Sequence, residues 1–255
     1  IAHKIREKGT FSRLRSSANP IGRGMTRDIT MRTRSLNFLA FALVGAYAVK
    51  QINNHKDLSI FVPENGFISL NAPLTHRRVG SLSTRTTHPY FIEMIQELFN
   101  NLGFGVRLIN PYQFMTKGQM VSNCKDSKML SEIVDLTVSC SHWKRKNQQC
   151  GYCVPCMIRR AALMKGTLKE SISYHHASYP TLRDFVKNKQ DGRDDVIAVS
   201  VALDKSKKIN LKSWVLKSGK LKFEDLDKYE QVFSDGLLEV EDFLKKEKVD
   251  RKSTR

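Results

Sequence analysis

Four of the chain's five cysteines, Cys140, Cys150, Cys153 and Cys156, fall within seventeen residues in the spacing C-x9-C-x2-C-x2-C. Thiolates so spaced can close a tetrahedral four-sulfur shell. Such a shell suits Zn(II), which has no directional preference of its own and binds soft sulfur well. Gly151 and Pro155 allow the tight turns that aim three sulfurs at one point, so the stretch reads as a structural zinc knuckle over 137–160. A closed shell leaves no position for substrate, and the metal is expected to hold the fold together. An iron–sulfur cluster and a set of buried or redox-active thiols are the alternatives. His142 reads as a residue beside the metal, because four sulfurs already complete the shell.

The fifth cysteine, Cys124, stands apart, which argues against a disulfide framework and for a reducing, cytoplasmic setting. A formal charge of +18 attracts polyanions without naming one. Two regions concentrate it: residues 1–37 hold nine Lys/Arg against Glu7 and Asp28, and residues 144–167 hold six with no acid. The longest apolar run, Leu36–Val49, is 14 residues, short of the roughly 20 needed to span a bilayer, so a soluble protein is expected.

Residues 1–30 are Arg-rich, show no periodicity, and read as a basic loop or linker. The stretch 34–50 is apolar on nearly all faces, which predicts a helix covered by protein on both sides. Leu58–Val62 predicts a fully covered strand of a parallel sheet, 88–102 a helix with Pro89 near its start, and Val106–Ile109 a second strand. A long polar loop, Pro63–Pro89, carries groups able to bind phosphate or a nucleobase edge. Lys117 stands at a helix start, where a cation opposes the macrodipole unless an anion shares the site. A helix leaving the knuckle carries Arg159 and Arg160 on different sides, so at most one of the two is expected to face any given ligand. Beyond 175 the pattern predicts a helical extension, 176–255, with a break at Gly236.

Taken together, TVSC (137–140), CGYCVPCMIR (150–159) and TRSLNFLAFA (33–42) resemble the 7-cyano-7-deazaguanine synthase family of the queuosine pathway. PENGFISLNAPL and STRTTHP look closer to a divergent branch, the synthase-like proteins of Qat anti-phage defence systems. The resemblance spans roughly 30–175 and implies an α/β fold with a Rossmann-like, adenine nucleotide alpha-hydrolase-type parallel sheet, here without its amino-terminal part. It implies ATP and Mg(II), a 7-deazaguanine carboxylate activated as an acyl-adenylate, and a nitrogen nucleophile: ammonia, or an amine on a partner protein of the defence system. The family's glycine-rich SGGxDS phosphate loop does not occur in these 255 residues, and Gly22-Arg23-Gly24 is a poor substitute. The expectation is that it lies upstream in a longer chain.

On this reading Arg34, Lys117 and one of Arg159 or Arg160 contact phosphate or the substrate carboxylate, and Asn65, Ser83, Thr84, Arg85 and Thr86 recognise base or nucleotide. Two competing readings are a zinc-containing nucleic-acid module, with Trp143 stacking on a base beside Lys144–Lys146, and an inactive scaffold homologue.

Overall fold

The computed structural model describes residues 34–53, 58–74, 85–143 and 147–249; the basic segment 1–30, Ser83, Thr84 and Lys144–Lys146 lie outside them. A small sheet comes first. Helix α1 (Arg34–Asn53) precedes strand β1 (Leu58–Phe61), and a short helix α2 (Gly66–Leu70) and helix α3 (Pro89–Asn101) lead to β2 (Val106–Ile109). The strands pair in parallel, Leu58 opposite Val106 through Phe61 opposite Ile109. A parallel pair needs a crossover, and α3 provides it. Helices α1 and α3 bury Leu39, Leu43, Ile95 and Phe99 around Val106.

The outer edge of β2 is closed by a side chain. Gln96 of α3 donates from Nε2 to the Val106 carbonyl at 3.0 Å, and its Oε1 accepts from Leu108 N–H at 2.6 Å. One carboxamide thus does what a neighbouring strand would do.

Two sequence expectations fail around this sheet. Helix α1 was expected to be covered on both sides, but Phe38 and Val44 are each 65% exposed, and Phe61 of β1 is 62% exposed. Two strands are too narrow to cover an all-round apolar helix.

The remaining helices form a second, larger core. They are α4 (Lys117–Ser122), α5 (Ser127–Ile133) with a 3-10 turn (Val134–Leu136), α6 (Val154–Lys165), α7 (Leu182–Lys187), α8 (Arg193–Ser206), α9 (Leu211–Leu216) and α10 (Leu226–Lys246). Met157 and Ile158 of α6 share one buried cluster with Phe67 and Leu70 of α2 and with Leu182, Val196, Trp214, Phe233, Leu237 and Phe243. Residues of the expected extension thus share a core with the helix that follows the cysteines.

Helix α10 runs through Gly236 without the expected break. A Cβ on Gly236 would lie 2.4 Å from the ring of Phe67. The glycine serves close packing of α10 on α2 and does not end a helix.

Candidate metal centre and adjoining cavity

The stretch Thr137–Cys140 is extended, and Gln149 holds it in place. Buried to 2% exposure, Gln149 accepts from Ser139 N–H at 3.1 Å and donates to the Thr137 carbonyl at 3.3 Å. This sets Cys140 beside Cys150. Gly151 then turns with φ +82°, where a Cβ would lie 2.2 Å from Nδ1 of His176, so only glycine fits. Cys153 is the N-cap of α6, with Pro155 in the first turn, and Cys156 follows one turn later.

All four sulfurs are buried and packed together, with Trp143 and Tyr152 against them. Cys150 Sγ lies 3.9 Å from Cys156 Sγ. Sulfurs sharing one zinc at about 2.3 Å stand about 3.8 Å apart. Backbone N–H groups of His142 and Cys150 donate to Cys140 Sγ, and that of Cys153 to Cys150 Sγ, each at 3.3 Å. These bonds favour thiolates.

Without a cation the sulfurs cannot all ionise. Hydrogen bonds from Cys150 and Cys156 hold the Cys153 thiol far below its ordinary range. The same contacts push Cys150 up to about 12, with Cys153 the largest cause, and push Cys156 up as well. The donors fit zinc, which would supply folding energy; Cys140, Cys150 and Cys153 belong to one group of mutually close donors, whose fourth member is His142, while Cys156 approaches it through Cys150. A ring nitrogen of His142 also lies within 4.8 Å of the donor atoms of Cys140, Cys150 and Cys153.

Both arginines after the last cysteine are consumed by the fold. Arg159, 3% exposed, donates to Glu170 at 2.9 Å, to Thr137 Oγ1 at 2.5 Å and to the Val134 carbonyl at 2.7 Å. Arg160 reaches the other way, to the Gly151 carbonyl at 3.3 Å and Glu247 at 2.6 Å, and lies over the rings of Tyr174 and Phe243. They do point to different sides: Arg159 toward Glu170 and the wall of the adjoining cavity, Arg160 toward Tyr174, Phe243 and Glu247. Sequence reasoning missed their carboxylate partners, Glu170 and Glu247, which are distant in the chain and carry no local pattern.

Beside the cysteines a cavity of about 740 Å³ opens between α4, α5 and α6, lined by Tyr112, Met120, Cys124, Lys117, Ser139 and Arg159 among others. Lys117, capped in by Thr116, donates from Nζ to Ser139 Oγ at 3.2 Å. Burial pushes its pKa down, and the charge of Glu64 opposes that shift. Burial likewise raises the Glu64 carboxyl, against the pull of Lys117. Among the described residues no carboxylate lies within ion-pair distance of Lys117.

The cavity therefore brings together Lys117 and Arg159 of the expected ligand contacts. Asn65 is buried, caps α2 by accepting from Ile68 N–H at 3.0 Å, and donates to Glu64 at 2.8 Å. Its expected recognition groups are committed to the turn. Arg85 donates to the Lys217 carbonyl at 3.3 Å, and its Nε is buried without a partner. Thr86 lies in the turn before His88. Arg34 is the first residue of α1. Ser83 and Thr84 lie outside the described residues. Trp143, offered as a base-stacking surface, packs against the cysteines. No helix among the described residues is long and apolar enough to cross a membrane.

These features define a helix-rich α/β protein with a small parallel sheet and a buried Cys/His cluster able to hold zinc. A family model described as "Queuosine biosynthesis protein QueC" matches residues 86–167, about a third of the chain, from the turn before α3 to the end of α6. Over that span the chain is similar to the 7-cyano-7-deazaguanine synthase family, as TVSC and CGYCVPCMIR suggest. No curated protein and no solved structure matches it.

Proposed function

We propose that the chain is part of an ATP-dependent 7-cyano-7-deazaguanine synthase-like ligase, a carbon–nitrogen bond-forming enzyme. The observation that carries this reading is the half-buried, partly desolvated side chain of Lys117. It hydrogen-bonds Ser139 of the TVSC stretch on the wall of a 740 Å³ cavity, within the span matched by the family model. A partly desolvated cation whose compensating carboxylate, Glu64, lies beyond ion-pair distance is suited to an anion. The cavity has the size and mixed lining of a small-molecule site.

In the reaction the resemblance implies, a carboxylate oxygen of the deazaguanine attacks the α-phosphorus of ATP and the bond to pyrophosphate breaks. A nitrogen nucleophile then attacks the acyl carbon, the bond to AMP breaks, and the nucleophile gives up a proton. Lys117 would neutralise the substrate carboxylate or a phosphate. The cysteine cluster, tied to α6 and through Arg159 to Thr137, would keep that wall in place. ATP and Mg(II) are co-substrates of this proposal. The PENGFISLNAPL and STRTTHP segments support placement in the Qat defence branch, where the nucleophile would be an amine on a partner protein.

The test is mass spectrometry of the products formed by the native protein with ATP, Mg(II), an ammonium source and 7-carboxy-7-deazaguanine. AMP that forms only when the deazaguanine is present, with a product carrying nitrogen in place of the carboxylate oxygen, supports the ligase. AMP formation indifferent to the deazaguanine contradicts it.

A further inference from the structure

His142 stands with three of the four cysteines in one group of mutually close donors, and Cys156 is outside that group. A ring nitrogen of His142 and the sulfurs of Cys140, Cys150 and Cys153 all lie within 4.8 Å of one another. The His142 backbone donates to Cys140 Sγ at 3.3 Å, which anchors the residue over that sulfur. Its ring faces Tyr152, with centroids 6.1 Å apart. Nδ1 is buried and has no hydrogen-bond partner. An unsatisfied buried nitrogen is unfavourable, and a metal ion would satisfy it. Cys156, fully buried one turn into α6, approaches the same group from the opposite chain direction, 3.9 Å from Cys150.

We propose that the fourth place of the metal shell is shared: Cys156 fills it together with Cys140, Cys150 and Cys153, and His142 is a built-in replacement that retains the ion when the Cys156 sulfur is withdrawn. The inference rests on the zinc reading above. Zinc accepts four-sulfur and three-sulfur, one-nitrogen shells alike, because its filled shell imposes no geometry beyond ligand packing. In the exchange Cys156 leaves as a thiol, taking up one proton, and His142 enters as a neutral imidazole. The shell's net charge changes by one unit. His142 completes a group of mutually close donors with Cys140, Cys150 and Cys153 and without Cys156, so Cys156 is the sulfur it replaces.

Metal content and the visible spectrum of the cobalt-substituted protein test this for the parent, Cys156→Ala, His142→Ala and the double variant, with Cys153→Ala as control. The parent and His142→Ala should each hold one ion per chain with a four-thiolate spectrum. Cys156→Ala should still hold one ion, with weaker sulfur-to-cobalt charge transfer and ligand-field bands shifted to higher energy. The double variant and Cys153→Ala should hold none. A Cys156→Ala protein that is unfolded or metal-free overturns the proposal, as does a double variant that binds metal as well as Cys156→Ala. A parent without metal overturns the zinc reading itself, which separates the two failures.

Discussion

Glu239, on the last helix, accepts a hydrogen bond from the hydroxyl of Thr116 at 2.5 Å, and its other oxygen accepts from Gly118 N–H at 3.1 Å. The carboxylate thereby closes the start of the helix whose first residue is Lys117. Asp235, one turn earlier, accepts from Gln119 of the same helix at 3.1 Å. Helix α10 thus positions the Lys117 wall of the cavity from more than a hundred residues away.

Glu239→Gln should therefore loosen that wall. The amide can accept one of the two bonds but must turn an NH2 toward a donor, leaving a buried group unsatisfied. We expect a loss of about 1–3 kcal/mol, read as a lower denaturant midpoint, together with weaker binding at the Lys117 cavity. An unchanged midpoint would remove Glu239 from this role.

Arg159→Lys should destabilise the protein by about 2–4 kcal/mol, because an ammonium cannot serve Glu170, Thr137 and the Val134 carbonyl in the geometry of the guanidinium fork. Chemical denaturation with zinc quantification checks this. A variant of parental stability that has lost only ligand binding would show that Arg159 faces the ligand rather than the fold.

His88 predicts a pH dependence. Burial, with help from Arg85, lowers its pKa to about 4, and the ring accepts from Tyr90 N–H at 3.2 Å while bonding Ser218 at 3.0 Å. The folded state holds it neutral, so its contribution is complete above the unfolded value near 6.5 and is lost as pH falls toward 4. The loss by pH 4 is on the order of 3 kcal/mol. His88→Asn keeps a capping side chain but removes the titration. The stability advantage of the parent over this variant should shrink between pH 6.5 and 4; a constant difference would contradict the assignment.

Local patterns made much of this molecule legible. The cysteine spacing pointed to the cluster, helical repetition to α3, and short apolar runs to both strands. What was hidden depends on distant partners. Glu239 is 121 residues from Gly118 and Glu247 is 87 from Arg160, and nothing in either neighbourhood marks them as caps or clamps. The same blindness misassigned Gly236, whose reason is the ring of Phe67, and overstated the cover on α1, which only the width of the sheet decides. Arg159 and Arg160 show what local pattern leaves out: the sequence marks one of them for a ligand, and the structure engages both with Glu170, Glu247 and backbone carbonyls, Arg159 also lining the cavity.

Zinc content of the purified protein, measured alongside its melting temperature before and after removal by a chelator, bears most directly on this account. One zinc ion per chain, whose removal lowers the melting temperature and exposes four reactive thiols, is the predicted result. A folded protein that carries no metal, and whose melting temperature a chelator leaves unchanged, would contradict it.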